Sequence, residues 1–174
     1  KYKKNNEWTN FALSSSSRFK SPKTIKVEGD ASSASYFFAA GAIGGSVEVA
    51  NINKSSIQGD LEFLKIIKKM GANVEYLSNS IKVSKNQQLV GMVVDCRNIP
   101  DAAMTLAILA LFAKGPTTLK SIGSWRVKET DRISAMETEL KKLGATVSTT
   151  KSSITIKPPK ILNNNTIIDT YDDH

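Results

Sequence analysis

One order of structural signals occurs twice in this chain of 174 residues. A tandem repeat limits the fold more tightly than local preference, because each copy is one small unit that must bury its apolar face against a neighbour. In the first copy, residues 24–84, Thr24-Ile25-Lys26-Val27 alternates as a strand does. Gly29-Asp30 then opens an apolar helix from Ala31 to Ile43, which Gly44-Gly45 breaks before a second strand, Ser46-Val47-Glu48-Val49. A helix from Gly59 to Met70 carries Leu61, Leu64, Ile67 and Met70 at helical spacing with lysines opposite, and Gly71 stops it as a C′ glycine. A hairpin closes the copy: Val74-Glu75-Tyr76, a turn at Ser78-Asn79, and Ile81-Lys82-Val83.

The second copy, residues 91–157, has the strand Met92–Asp95, a helix from Ala102 to Ala113, a break at Lys114-Gly115-Pro116 and the strand Thr117-Thr118-Leu119. A helix from about Glu129 to Leu143 ends at Gly144, and Thr146-Val147-Ser148 with Ile154-Thr155-Ile156 makes the closing hairpin. Gly29-Asp30-Ala31 matches Pro100-Asp101-Ala102 at a shift of 71, and Met70-Gly71-Ala72 matches Leu143-Gly144-Ala145 at a shift of 73. A third copy starts in residues 160–174, with Thr166–Asp169 strand-like and Asp172-Asp173 standing where Asp30 and Asp101 stand. Residues 1 to about 23 complete no unit, and Ser14–Ser17 and Asn163–Asn165 read as flexible connections. With no initiator Met and no third helix, the sequence reads as cut at both ends. The expected fold class is α/β (α+β), built of β-α-β-α-β-β units with the third truncated.

Composition narrows the function classes. With 40% hydrophobic and 23% charged residues, the chain can bury a core. No window of 18 uncharged apolar residues exists, so no membrane-spanning helix is expected, and no secretory signal is visible. A single cysteine, Cys96, excludes an internal disulfide, fits a reducing, cytoplasmic compartment, and reads as a small buried residue. One Cys and one His cannot supply a Cys/His zinc site. The net charge of +8 suits either nucleic acid or a small polyanionic substrate. The lysines are scattered and the aromatics, at 7%, form no stacking array, which counts against nucleic acid.

Two places carry chemistry. Asp30 and Asp101 mark the starts of the two apolar helices, where a carboxylate accepts hydrogen bonds from free backbone N–H groups. Asp101 has a second reading, since a carboxylate at a helix mouth also accepts a proton from a bound hydroxyl; position does not separate the two. The richest segment is Trp125-Arg126-Val127-Lys128-Glu129-Thr130-Asp131-Arg132. If a helix begins near Lys128, then Lys128, Glu129 and Arg132 project from one side of its first turn and make a seat for phosphate or carboxylate. The alternative is a solvated helix start with a local Glu129–Arg132 pair. Ile133, Met136, Leu140 and Leu143 behind it read as core.

Val27-Glu28-Gly29-Asp30-Ala31-Ser32-Ser33-Ala34-Ser35-Tyr36-Phe37, Ile99-Pro100-Asp101-Ala102-Ala103-Met104-Thr105 and Trp125–Arg132, in that order, closely resemble landmarks of the 5-enolpyruvylshikimate-3-phosphate synthase family. Tyr171-Asp172-Asp173-His174 is similar to a fourth. The resemblance implies an inverse α/β barrel-like enolpyruvyl transferase domain made of three such units, with residues 26–174 most of one domain and residues 1–25 the tail of another. It implies transfer of the enolpyruvyl group of phosphoenolpyruvate to the 5-hydroxyl of shikimate 3-phosphate, with release of phosphate and no metal or organic cofactor. Two anionic substrates account for the positive charge.

By the same resemblance, Asp101 is the base that takes the 5-hydroxyl proton and holds shikimate ring hydroxyls. Lys128 reaches the substrate hydroxyl and shares proton handling, Glu129 protonates the methylene carbon of phosphoenolpyruvate, and Arg132 clamps its carboxylate. Ser124 stands where many members have an Asn that contacts substrate. Other family parts, including the phosphate site of the second domain, have no counterpart here. The expectation is that this chain alone is inactive, with the remainder of such an enzyme as its partner. Two other readings remain open: the UDP-sugar enolpyruvyl transferase of cell-wall synthesis, and a non-catalytic basic binding module.

Overall fold

The computed structural model describes residues 3–4 and 9–173. Two short strands, β1 (Lys3–Lys4) and β2 (Phe11–Ala12), pair antiparallel in a sheet of their own. The first repeat contains α1 (Ala31–Gly44), β3 (Ser46–Ala50), a 3-10 turn Gly59–Leu61 running into α2 (Glu62–Met70), and the hairpin β4 (Asn73–Tyr76) and β5 (Ser80–Ser84). The second contains β6 (Val93–Asp95), α3 (Ala102–Leu109) continued by a 3-10 turn to Phe112, and β7 (Thr117–Lys120). A 3-10 helix Gly123–Val127, α4 (Arg132–Lys142), β8 (Thr146–Thr149) and β9 (Ser153–Lys157) complete it.

The repeat holds at the level of topology and of backbone angles. The sheets run β3-β5-β4 and β6-β7-β9-β8, so the last strand of each copy lies between the other two antiparallel members. Residues just after β3 and β7, Asn51 and Ser121, both adopt positive φ, at 59° and 61°. The helices before each hairpin both stop at a glycine with positive φ, Gly71 at 120° and Gly144 at 93°. These are left-handed C′ positions that glycine fills without steric cost.

The copies differ where a strand lacks a partner. β6 pairs parallel with β7, but the matching residues 24–27 form no strand. Their alternation places Ile25 and Val27 on one face, and both stay about three-quarters exposed, at 76% and 77%. A strand that buries nothing gains little from its pattern. Residues 166–169, also expected as a strand, are irregular for the same reason, with Ile167 at 85% exposure. Asn163 is tethered to the end of α4 by bonds to the Leu143 and Lys142 carbonyls.

Helices α1 and α3 are apolar on nearly all sides and pack together at the centre, through Ala34, Phe38, Ala103, Leu106 and Ala107 among others. A buried polar contact joins them: Thr105 donates to the Ser35 hydroxyl at 2.8 Å, because the Ser35 proton is already given to the Ser32 carbonyl. Helices α2 and α4 are amphipathic, burying Leu64, Ile67 and Met70, and Ile133, Met136 and Leu140. Among the described residues no helix is long and apolar enough to cross a membrane.

Candidate active site

The central packing of α1 against α3 brings their N-termini side by side, and the segment before α4 closes a third side. The result is an open hollow of about 380 Å³ lined by Asp30, Ser32, Ser33, Tyr36, Asp101, Met104, Lys128, Glu129 and Arg132.

Asp30 is the N-cap expected of it. Its carboxylate accepts from the Ser32 and Ser33 N–H groups at 3.1 Å and from the Ser33 hydroxyl, whose bond holds the carboxyl below its usual range. Asp101 is not a cap. It has helical φ and ψ, its side chain makes no cap bond, and its Oδ1 instead meets Arg132 Nη1 at 2.9 Å and Lys128 Nζ at 3.4 Å.

Helix α4 starts at Arg132, not near Lys128 or Glu129. Asp131 caps it, accepting from the Ser134 N–H at 3.2 Å and the Ser134 hydroxyl at 2.9 Å, and its Oδ2 also meets Arg126 Nη1 at 2.7 Å. A competent cap within the segment ends the helix there. Lys128 and Glu129 therefore reach the hollow from the connection leaving the 3-10 helix, which is anchored by Trp125, fully buried with its indole N–H on the Pro100 carbonyl at 2.7 Å. That bond ties the connection to the residue preceding Asp101.

Arg132 is the hub. Its guanidinium is 6% exposed and meets three carboxylates: Asp101, Glu129 at 2.9 Å, and Asp173 through two bonds of 2.7 and 2.8 Å. Asp173, then Asp101 and Glu129, outweigh burial and hold the group even more firmly protonated than a free arginine. The expected seat for an anion is thus already filled by the chain's own acids, and an external anion must displace one of them. Of these acids Asp101 and Glu129 stand partly exposed, at 46% and 41%, while Asp173 is buried.

The structure brings Asp101, Lys128, Glu129 and Arg132 together. It does not bring Ser124, which lies exposed on the 3-10 helix and does not line the hollow. His174 lies outside the described residues. The sequence reading missed the pairing of Asp173 and the anchoring by Trp125, because both link residues distant in sequence; only the match of Asp173 with Asp30 and Asp101 in the repeat pointed to it.

The family model described as EPSP synthase (3-phosphoshikimate 1-carboxyvinyltransferase) matches residues 2–174. The 3-phosphoshikimate 1-carboxyvinyltransferase of Janthinobacterium sp. (strain Marseille) is 53% identical over 171 residues, which cover 97% of this chain and 38% of that protein. The EPSP synthase structure from Acinetobacter baumannii has a TM-score of 0.67 at 29% identity, covering 83% of this chain and 35% of that one. The enolpyruvyl transferase NikO from Streptomyces tendae, with a TM-score of 0.59 at 15% identity, is a likeness of fold. The chain spans about 40% of the length of the curated relatives it matches. These matches favour the shikimate family over the UDP-sugar transferase and over a basic binding module, and this chain belongs to the EPSP synthase family.

Proposed function

We propose that the hollow is part of the substrate site of a 3-phosphoshikimate 1-carboxyvinyltransferase, which moves the enolpyruvyl group of phosphoenolpyruvate to the 5-hydroxyl of shikimate 3-phosphate and releases phosphate. The observation that carries this reading is Asp101: a carboxylate at a helix mouth, free of capping, open to solvent, and held between Lys128 and Arg132. Asp101 accepts the 5-hydroxyl proton as that oxygen attacks C2 of phosphoenolpyruvate, and Lys128 steadies the hydroxyl oxygen. Glu129 delivers a proton to the methylene carbon, so that C2 becomes electrophilic. Loss of a proton from the new methyl group and departure of phosphate regenerate the enol ether.

Arg132 presents a planar fork to the carboxylate of phosphoenolpyruvate. That carboxylate takes the place of Glu129 on the guanidinium and frees Glu129 for the methylene carbon, while buried Asp173 keeps the fork aimed. Ser124 is given no role, and no metal or organic cofactor is assigned. A cytoplasmic location goes with the buried free thiol of Cys96. Residues 26–174 belong to one domain and residues 1–25 to its neighbour, a division supported by the separate β1–β2 sheet.

Because the chain spans 38% of the Janthinobacterium protein, the test replaces the matching segment of that protein with residues 2–174 of this one. Phosphate release is then measured with shikimate 3-phosphate or a UDP-sugar as acceptor. The expected result is turnover with shikimate 3-phosphate only, and a fall in kcat of about 10²–10⁴-fold in Asp101→Asn. A rate within about threefold of the parent in that variant would remove the base assignment.

A further inference from the structure

Residues 169–173 run back along α4 as a strap with a polar fastening at each end. At the far end sits Glu139, a buried carboxylate that does not line the hollow. Its Oε1 accepts from the Tyr171 hydroxyl at 2.7 Å and its Oε2 from the Asp169 N–H at 3.1 Å. Lys142 joins the same fastening, with Nζ 2.9 Å from Glu139 and 2.6 Å from Asp169. At the near end, Asp173 holds Arg132 through both carboxylate oxygens. Glu139 and Arg132 stand two helical turns apart on one face of α4, about 10 Å along its axis, a distance that residues 169–173 can span. Between the fastenings the backbone turns: Tyr171 and Asp172 both adopt positive φ, at 59° and 53°, and the Asp173 N–H donates to the Thr170 carbonyl at 3.1 Å. Two consecutive non-glycine residues in the left-handed region persist only where surrounding bonds hold them. Apolar packing does not hold them alone. An open cavity of about 280 Å³, lined by Met104, Ile108, Met136 and Leu140, lies against the strap, and Tyr171 is 40% exposed.

We propose that Glu139 is a positioning residue for the anion fork: by fastening Asp169 and Tyr171 to α4 it sets the strap so that both Asp173 oxygens meet Arg132. This rests on the reading of Arg132 as the clamp on the phosphoenolpyruvate carboxylate. A planar guanidinium selects its partners by direction as well as by charge. Asp173 takes Nε and one hydrogen of Nη2, which leaves Nη1 and the other Nη2 hydrogen for the hollow side, where Asp101 and Glu129 meet them. A strap slack at Glu139 lets Asp173 shift, and the edge of the fork that faces the hollow turns with it. Burial raises the Glu139 carboxyl, but the bonds from Lys142, Tyr171 and Asp169 more than reverse it, so the acceptor stays charged.

The test uses the chimeric enzyme and reads amide exchange of residues 169–173 beside steady-state kinetics. In Glu139→Ala, exchange there is expected to quicken at least about tenfold. KM for phosphoenolpyruvate is expected to rise on the order of tenfold, with kcat within about threefold and KM for shikimate 3-phosphate within about twofold, the pattern of uniform binding lost for one substrate. Tyr171→Phe removes a single bond and is expected to give the same pattern at about two- to fivefold, which decides the question if the Ala variant does not fold. Unchanged exchange overturns the fastening whatever the activity does. Faster exchange with KM for phosphoenolpyruvate unchanged overturns the positioning role. So does an equal loss for both substrates, or a fall in kcat larger than the rise in KM, since either marks general damage. Failure of the clamp reading shows separately, as an Arg132→Lys enzyme whose KM for phosphoenolpyruvate stays within about twofold of the parent.

Discussion

Asp173 grips the guanidinium of Arg132 with both carboxylate oxygens, at 2.7 Å to Nε and 2.8 Å to Nη2, and both side chains are less than a tenth exposed. The pair closes the last described stretch of chain onto the first residue of α4. It also fixes the plane of the fork that Asp101 and Glu129 approach from the open side.

Removing Asp173 leaves two donors of a buried cation without partners. Asp173→Ala is expected to destabilise the chain by about 3 kcal/mol in urea unfolding, because an ion left alone in a poorly solvated site costs more than the pair contributes. Asp173→Asn, which keeps one acceptor, should lose less. A change under about 0.5 kcal/mol in the Ala variant would mean that Asp101 and Glu129 carry the guanidinium unaided.

Two glycines at opposite extremes of crowding test the seat of α1 on its sheet. A Cβ at Gly41 would lie 2.5 Å from the Val83 carbonyl oxygen in β5, whereas one at Gly44 meets nothing within 4 Å. Gly41→Ala should therefore cost about 1–3 kcal/mol by overpacking. Gly44→Ala should be neutral or stabilise by up to about 1 kcal/mol through helix propensity. Thermal unfolding of the two variants decides whether α1 is held as tightly as its neighbours imply.

Acid sensitivity follows from the caps. At Asp131, slight burial raises the carboxyl but Ser134 and Arg126 more than reverse it; at Asp30, Ser33 leads the lowering. A carboxyl lowered in the fold contributes its full stabilisation above its unfolded value of about 3.9 and loses it as pH falls through the folded value. Stability should hold from neutrality to about pH 5 and decline below about pH 4. Asp131→Ala should be about 1 kcal/mol less stable at pH 7, with the gap narrowing toward pH 3. Urea midpoints across that range provide the measurement, and a constant gap would count against the cap.

Cys96 is fully buried and its thiol is pushed up to about 12, first by burial and then by the nearby charge of Asp95. The thiolate is the reactive form, so iodoacetamide at pH 8 should leave the folded chain unmodified and label it stoichiometrically in urea. Rapid labelling of the folded chain, read by mass spectrometry, would place Cys96 at an opening of the structure.

Much of the fold is legible because its signals are local. The stops at Gly71 and Gly144, the cap at Asp30 and the alternating hairpins all depend on neighbours a few residues away. The two expected strands that do not form share a cause. Residues 24–27 alternate and residues 166–169 are strand-like in composition, yet a strand is completed by a partner that its own sequence does not contain. The start of α4 is a different case: its cap, Asp131 with Ser134 three residues on and Arg126 five before, is local, and the segment offers an acid at Glu129 as well as at Asp131.

By itself the sequence determined the repeated unit, the two apolar helices at its centre, and which side chains could serve as acids, bases and anion contacts. Tertiary structure decided what each does. Asp30 caps its helix while Asp101, its counterpart in the repeat, does not, because Arg132 and Lys128 hold the Asp101 carboxylate outward. Equivalent positions in a repeat share backbone geometry, but a carboxylate's partners are set by whatever packing brings within about 3 Å, and no local pattern carries that information.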